Sequence, residues 1–288
     1  MTNVTGFDEA ESALYRSRPA FIVGCPRSGT TLVKMMLDAH PNISCGPETL
    51  FMRHIADLER QHLQLTQFLI SEEEWHAHLR DLFLWLHVRR AAQLGKTRWV
   101  DKSPSYAVIT DFLDTLFPNC QIVHVIRDPR DVIDSWRRRW GLRSAFRATR
   151  LWPLHVQRAR QFGAAHPDRY FEIRYEKLVR SPEQVMRELV EWLEEPWDHR
   201  VLQFNPAPLG GRRPGEKRTR PEERPDGTSD GALNPTKAAA TRTPPADEPL
   251  GSRVFTSSIG AGRQLSNLPF ALLLRISCGP LIRELGYR

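Results

Sequence analysis

One stretch constrains the fold of this chain more than any other. The apolar run "AFIV" (20–23) leads into the glycine-rich "GCPRSGTT" (24–31) and on into the helical pattern "TTLVKMMLDAH". A buried strand, a tight glycine turn and a helix in that order open an α/β unit, with a ligand site at the turn. Gly24 and Gly29 have four residues between them, as in a phosphate-binding loop, yet Thr30 stands where that loop's lysine is expected. Such a turn aims several backbone N–H groups at one point, and the helix N-terminus adds partial positive charge. Ser28, Thr30 and Thr31 add hydroxyl donors, and Arg27 adds a full charge able to grip two oxygens. A tight turn with incidental polar residues is the plainer reading. Strand, helix and three hydroxyl residues together favour a site for a tetrahedral anion.

The rest of the chain repeats the alternation. Leu32, Val33, Met36 and Leu37 share one face of a helix expected from Thr31 to His40. "SEEEWHAHLRDLFLWLHVRRAA" opens with a capping box, Ser71 with Glu74, and sets Trp75, Leu79, Leu82 and Leu86 along one predicted core-facing side. "RWVD" (98–101) is a short strand, and a helix follows Pro104 to about Leu116. "CQIVHVI" (120–126) is the clearest strand, and Asp128 and Pro129 start a helix after it as N-cap and first helical residue. "YFEIRY" (170–175) is a further strand, and "SPEQVMRELVEWL" a helix with Ser181 as cap and Gln184 completing a capping box. Strands separated by helices predict an α/β fold, a parallel sheet flanked by helices on both faces. Ligands on such sheets lie at the carboxyl ends of the strands, where Gly24–Thr31, Asp101–Pro104 and Arg127–Arg130 all fall.

The 288 residues suit one domain, 1–288, with an interruption. Residues 206–252 hold nine of the 22 prolines and no aromatic residue, Val or Ile, so that stretch reads as a disordered insertion within the domain. A net charge of +7 suits anionic ligands without choosing among nucleotide, nucleic acid and lipid. Cys25, Cys45, Cys120 and Cys278 form no C-x-x-C pair, and the first twenty residues have no apolar signal core. No run of about 18 apolar residues is present to span a membrane. These features predict a cytoplasmic chain with reduced cysteines.

A second anion site is expected at "VIRDPRDVIDSW". Arg127 ends the clearest strand, and Ser135, eight residues on, falls in the second turn of the next helix. Both can reach one phosphate from two sides. Two alternatives stand beside this: an ion pair of Arg127 with Asp128 or Asp131, and Asp128 as a magnesium ligand after an apolar strand.

These motifs together resemble the sulfotransferases that use 3′-phosphoadenosine 5′-phosphosulfate (PAPS). "CPRSGTT" is similar to that family's 5′-phosphosulfate loop, and Arg127 with Ser135 to its 3′-phosphate clamp. "PRSGTTLVKMMLDAHPNISCGPET" is similar to the tyrosylprotein sulfotransferases in particular, and the ending "CGPLIRELGY" to bacterial members of the wider family. The resemblance covers about 19–200 and 253–288 and implies a P-loop-like sulfotransferase architecture. It implies PAPS as sulfuryl donor and no metal. The partner it implies is a hydroxyl-bearing acceptor, a small molecule or a tyrosyl peptide, and not nucleic acid.

The resemblance also implies roles. Arg27 touches the 5′-phosphate and the transferring sulfonate, with Ser28, Gly29, Thr30 and Thr31 around it. Lys102, in "WVDKSPSY", stabilises the leaving phosphate, and Glu48, in "CGPET", is the catalytic base. Tyr175 lies near the nucleotide, Ser258 (or Ser257) at the sulfonate, and Arg263 at the 3′-phosphate. The sequence departs from the pattern at Pro47, where the tyrosylprotein enzymes carry a second acid, and at "SSIGAGRQ". Without the family, Glu48 reads equally as a helix N-terminal acid and Lys102 as a solvated lysine paired with Asp101. His54 is an alternative base, His40 a bland histidine, and Cys25 an inert loop residue or a reactive one. The cationic run 136–150 reads as a solvated face or anion-attracting rim, with RNA binding as its rival. Two other functions compete: a P-loop small-molecule kinase and a non-catalytic nucleotide- or RNA-binding module.

Overall fold

The computed structural model describes residues 9–60, 69–204, 259–260, 262 and 270–287. Its centre is a five-stranded, wholly parallel sheet in the order β2-β3-β1-β4-β5. The strands are β1 (Ala20–Gly24), β2 (Ile43–Cys45), β3 (Arg98–Lys102), β4 (Gln121–Ile126) and β5 (Tyr170–Arg174). Every residue of β1 and β4 is buried, as their continuous apolar runs require of strands covered on both faces. Side chains alternate across the sheet. Phe21 and Val23 enter one core with Trp99, Phe83 and Phe117, while Ala20 and Ile22 enter the other with Leu37 and Met186.

The helices are α1 (Glu9–Arg16), α2 (Thr30–Asp38), α3 (Phe51–Arg60), α4 (Glu72–Gln93) and α5 (Thr110–Leu116). After β4 come α6 (Pro129–Trp140) and α7 (Leu142–Ala165), then after β5 α8 (Tyr175–Arg180), α9 (Pro182–Trp192) and α10 (Phe270–Glu284). Among the described residues, no helix is long and apolar enough to cross a membrane.

Several expectations are corrected. The helix expected from Thr31 to His40 is α2 and runs Thr30–Asp38, and the segment after Pro104 is a 3-10 turn to Val108 before α5 begins. The expected α4 stripe is out of phase. Leu79 is buried, but Leu82 and Leu86 are exposed, and Phe83, Leu84, His87, Val88 and Ala91 carry the core contact. Both registers carry apolar residues at helical spacing, so periodicity alone could not choose; the aromatic cluster of Phe83 with Phe21 and Trp99 does. Ser71 caps α4 by accepting from the Glu74 amide at 3.1 Å. Ser181 stands at the N-cap of α9 but its side chain makes no cap bond, and Gln184 bonds Glu188 instead of closing a capping box. The edge strand β2 and the long helix α7 were not expected from the sequence. The insertion expected at 206–252 lies outside the described residues.

Candidate active site

The loop after β1 is shaped by what cannot fit there. Gly24 has φ 151°, and a Cβ on it would lie 2.5 Å from the Val125 carbonyl oxygen of the adjoining strand. Gly29, at φ 101°, precedes α2, and its missing Cβ would lie 2.3 Å from Cδ2 of Tyr175. Arg27 has a positive φ of 78°, a conformation costly for a residue with a side chain and typical of ligand-binding turns. Three side chains hold the loop from behind. His155 Nδ1 donates to the Gly24 carbonyl (3.0 Å), Trp136 Nε1 to Pro26 (2.9 Å) and Arg127 Nη1 to Arg27 (3.3 Å). Trp136 and His155 were not foreseen in this role, since neither is near the loop in the chain.

The loop fits an anion. The first amides of α2 have no partner within the helix. Ser28 is buried, and its Oγ has no hydrogen-bond partner among the described residues. A buried hydroxyl is seldom left so unless water or a ligand completes it. Thr30 is buried and Thr31 half-buried beside it. Cys25 is fully buried, and burial pushes its thiol pKa up, which removes the reactive alternative for it.

The second site lies one strand over. Arg127 is buried at the end of β4, its guanidinium carbon 4.4 Å from the centroid of the Tyr175 ring, the ring that packs on Gly29. Arg127 Nη2 is 3.8 Å from Asp131, so the expected ion pair is present, and the residue also faces Ser135's helix. Asp128 is engaged otherwise than as a metal ligand: it accepts from the Arg130 amide (2.9 Å) as N-cap and holds the Arg130 guanidinium. The two candidate anion sites meet directly. Arg27 Nε donates to Ser135 Oγ at 3.0 Å. Desolvation and then the charges of Arg127, Arg139 and Arg138 lower the Arg27 pKa.

Asp131, expected only as an ion-pair partner of Arg127, does a second job. Its carboxylate accepts from the amides of Gly260 (2.9 Å) and Gly262 (2.7 Å), fastening the start of the C-terminal segment to α6. A Cβ on Gly262 would lie 2.2 Å from the Arg130 carbonyl, so only glycine allows this approach. Ser257, Ser258 and Arg263 lie outside the described residues.

The third group stands at the end of β3. Lys102 is buried; its Nζ pairs with the Glu48 carboxylate and lies 3.5 Å from Thr31 Oγ1 at the start of α2. The Glu48 side chain is 38% exposed, open to an incoming molecule. His54 is exposed on α3, while His40 is a buried structural residue, its Nε2 donating to the Pro196 carbonyl at 2.8 Å. Asp101 does not pair with Lys102. Its Oδ2 accepts from Thr49 (2.9 Å), with His87 Nε2 3.5 Å away.

The fold and site thus define a class: an α/β protein whose strand ends gather a phosphate-type loop, a second cationic anion site and a carboxylate–lysine pair. Comparison with known proteins narrows it, and the chain belongs to the sulfotransferase family, whose model matches residues 19–199. It is 31% identical over 200 residues to a protein-tyrosine sulfotransferase of Drosophila melanogaster, covering 63% of this chain and 39% of that one. It is 31% identical over 196 residues to protein-tyrosine sulfotransferase A of Caenorhabditis elegans, covering 63% and 51%. The chain therefore spans about half, or less, of these relatives' length. Among solved structures it resembles the sulfotransferase domain of the Synechococcus PCC 7002 olefin synthase, with a TM-score of 0.51 and 26% identity over 65% of this chain and 76% of that one.

Proposed function

We propose that this sulfotransferase takes PAPS as donor and transfers its sulfuryl group to a hydroxyl acceptor, with Glu48 as general base. The observation that carries the reading is Lys102. Its ammonium lies between Thr31, on the phosphate loop, and Glu48, on the open side of the cleft. A group so placed spans the two ends of an in-line displacement. The phosphate loop with Arg27 receives the donor's 5′ end, and Arg127 with Ser135 and the face of Tyr175 receives its 3′-phosphate end. The acceptor oxygen attacks sulfur while its proton passes to Glu48. The bond from sulfur to the 5′-phosphate oxygen breaks, and Lys102 and Arg27 stabilise the charge left on that oxygen. Tyrosyl peptides are the first acceptors to test, because protein-tyrosine sulfotransferases are among the relatives.

The test separates base from cation. Glu48→Gln keeps the shape and removes the proton acceptor, and is expected to lower kcat by roughly 10²–10⁴. Its affinity for 3′,5′-bisphosphoadenosine, measured by calorimetry, is expected to hold or rise, since Lys102 loses a competing carboxylate. Lys102→Ala is expected to lose both rate and affinity. A Glu48→Gln chain with unchanged turnover removes Glu48 from the base role and makes exposed His54 the next residue to substitute.

A further inference from the structure

The Glu48–Lys102 pair raises a difficulty that the proposed reaction does not resolve. When the donor enters, Lys102 must turn to its phosphate, and Glu48 then loses its only charged partner among the described residues. A carboxylate on a loop, 38% exposed, would be free to swing away from the acceptor. Something else must hold it.

The neighbouring residue is anchored on the same strand end. Glu48 meets Lys102 and Thr49 meets Asp101, so two successive loop residues grip two successive strand residues. Successive strand side chains point to opposite faces, so the loop straddles the end of β3. The hydrogen-bond directions around Thr49 follow from donor and acceptor count. Asp101 is fully buried, and its carboxylate accepts the Thr49 hydroxyl proton at 2.9 Å. The Thr49 oxygen can then only accept from the Tyr106 hydroxyl, 2.8 Å away. The Tyr106 oxygen in turn accepts from the Met52 amide at 3.2 Å, at the start of α3. The Thr49 amide donates to Ser103 Oγ at 3.2 Å. Burial and the Asp101 charge both push the Tyr106 pKa up, which keeps that hydroxyl a donor. The relay therefore runs one way, from α3 to Asp101, through Thr49. None of its bonds involves Lys102 or Glu48.

We infer that Thr49 is a positioning residue, tethered to Asp101, that keeps the Glu48 carboxylate at the acceptor side once Lys102 has turned to the donor. Asp101 is the buried anchor of that tether. The inference rests on Glu48 being the base. Its physical part, the tether, stands without that assignment.

The experiment uses the full chain and two substitutions at one position. Thr49→Val keeps the branched shape and removes the hydroxyl; Thr49→Ser keeps the hydroxyl. Backbone hydrogen exchange of the 46–50 loop is read with saturating 3′,5′-bisphosphoadenosine, the condition in which Lys102 is drawn away. Thr49→Val is expected to exchange at least tenfold faster there than the wild type, and Thr49→Ser to match it. Turnover of PAPS is read as release of 3′,5′-bisphosphoadenosine, with a tyrosyl peptide, 4-nitrophenol and water as acceptor probes. Thr49→Val is expected to lose roughly 10²-fold in kcat, the scale of a misplaced catalytic group. Nucleotide affinity is expected to stay unchanged, and Thr49→Ser to restore the rate. Unchanged loop exchange in Thr49→Val overturns the tether, whatever the turnover. Faster exchange with unchanged kcat, while Glu48→Gln is slow, overturns the positioning role. If Glu48→Gln is itself not slow, the base assignment fails and the tether alone survives.

Discussion

The two loops that meet across the cleft are built on opposite principles. The loop after β1 is made of backbone: two glycines, a strained Arg27 and free helix amides, supported from behind by bonds to its own carbonyls. The loop after β2 is held by side chains: Thr49 bonds Asp101 of β3 and Ser103 and Tyr106 beyond it in one network. In the proposed reaction the first presents fixed dipoles and the Arg27 charge to the phosphate end of the donor. The second presents the Glu48 carboxylate, which in the proposed reaction changes partner and takes up a proton. A backbone cradle cannot be adjusted without breaking its geometry, whereas a side-chain tether can hold one atom while releasing another.

The largest effect is expected where the backbone loop is tightest. Gly29→Ala adds a Cβ 2.3 Å from the Tyr175 ring at a φ of 101°. Strain and overpacking each cost about 1–3 kcal/mol, so roughly 2–6 kcal/mol of stability should be lost. Displacing Tyr175 also moves the surface under Arg127, so binding of 3′,5′-bisphosphoadenosine should fall as well. Gly95→Ala is the control, because its φ is 65° and nothing lies within 4 Å of the new Cβ. Denaturant melts that show equal losses for the two would mean that the Gly29–Tyr175 contact is not a constraint.

Acid should separate the two halves next. His155, which holds the Gly24 carbonyl, has a pKa pushed down to about 4, chiefly by burial, and burial likewise pushes His124 of β4 down to about 3. Both are neutral in the folded chain, while an unfolded histidine takes up a proton near pH 6.5. Below that pH the unfolded state binds more protons, so stability falls as pH falls, from about 6.5 to the folded values. The slope is on the order of 1 kcal/mol per pH unit for each histidine. Replacing His155 by Gln, which can still donate, should flatten that slope between pH 6 and about 4. An unchanged slope in a series of melts would show that His155 is already charged in the fold.

The same division decides what the sequence revealed. The phosphate loop was legible because backbone geometry demands glycine at fixed spacing, and the strands beside it because they are buried on both faces. Arg127 and Ser135 were singled out by their place after the clearest strand, whereas Glu48, Lys102 and Tyr175 were singled out only through family resemblance, since a single charged residue carries no local signal. Thr49, Trp136 and His155, and the hold of Asp131 on Gly260 and Gly262, were not legible at all. Each acts on a partner 52 to 131 positions away, and a hydroxyl or an indole looks the same whether it supports a site or faces water. The α4 stripe failed for a related reason. Leu82 and Leu86 fit helical spacing as well as Leu79 does, and only packing against Phe21 and Trp99 fixes which side is inward.

The smallest expected effect tests whether the backbone half is one site or two. If Arg127 and Ser135 form a separate 3′-phosphate site, 3′,5′-bisphosphoadenosine must bind more tightly than adenosine 5′-monophosphate, which leaves that site empty. A charge-assisted contact of this kind contributes about 1.5–3 kcal/mol, a ten- to hundredfold difference in Kd. Part of it will be offset, because Arg127 already has Asp131 at 3.8 Å and Ser135 already accepts from Arg27 at 3.0 Å. Arg127→Lys keeps the charge but loses the planar group that lies over Tyr175, so it should recover only part of the preference. Arg127→Ala should abolish it while leaving monophosphate affinity within a few-fold. Calorimetry giving equal affinities for the two nucleotides in the wild type would mean that Arg127 serves only to hold the Arg27 carbonyl and Asp131. The 3′ end of the donor would then have to be held elsewhere, and the contrast between a fixed backbone half and an adjustable side-chain half would apply to the loop after β1 alone.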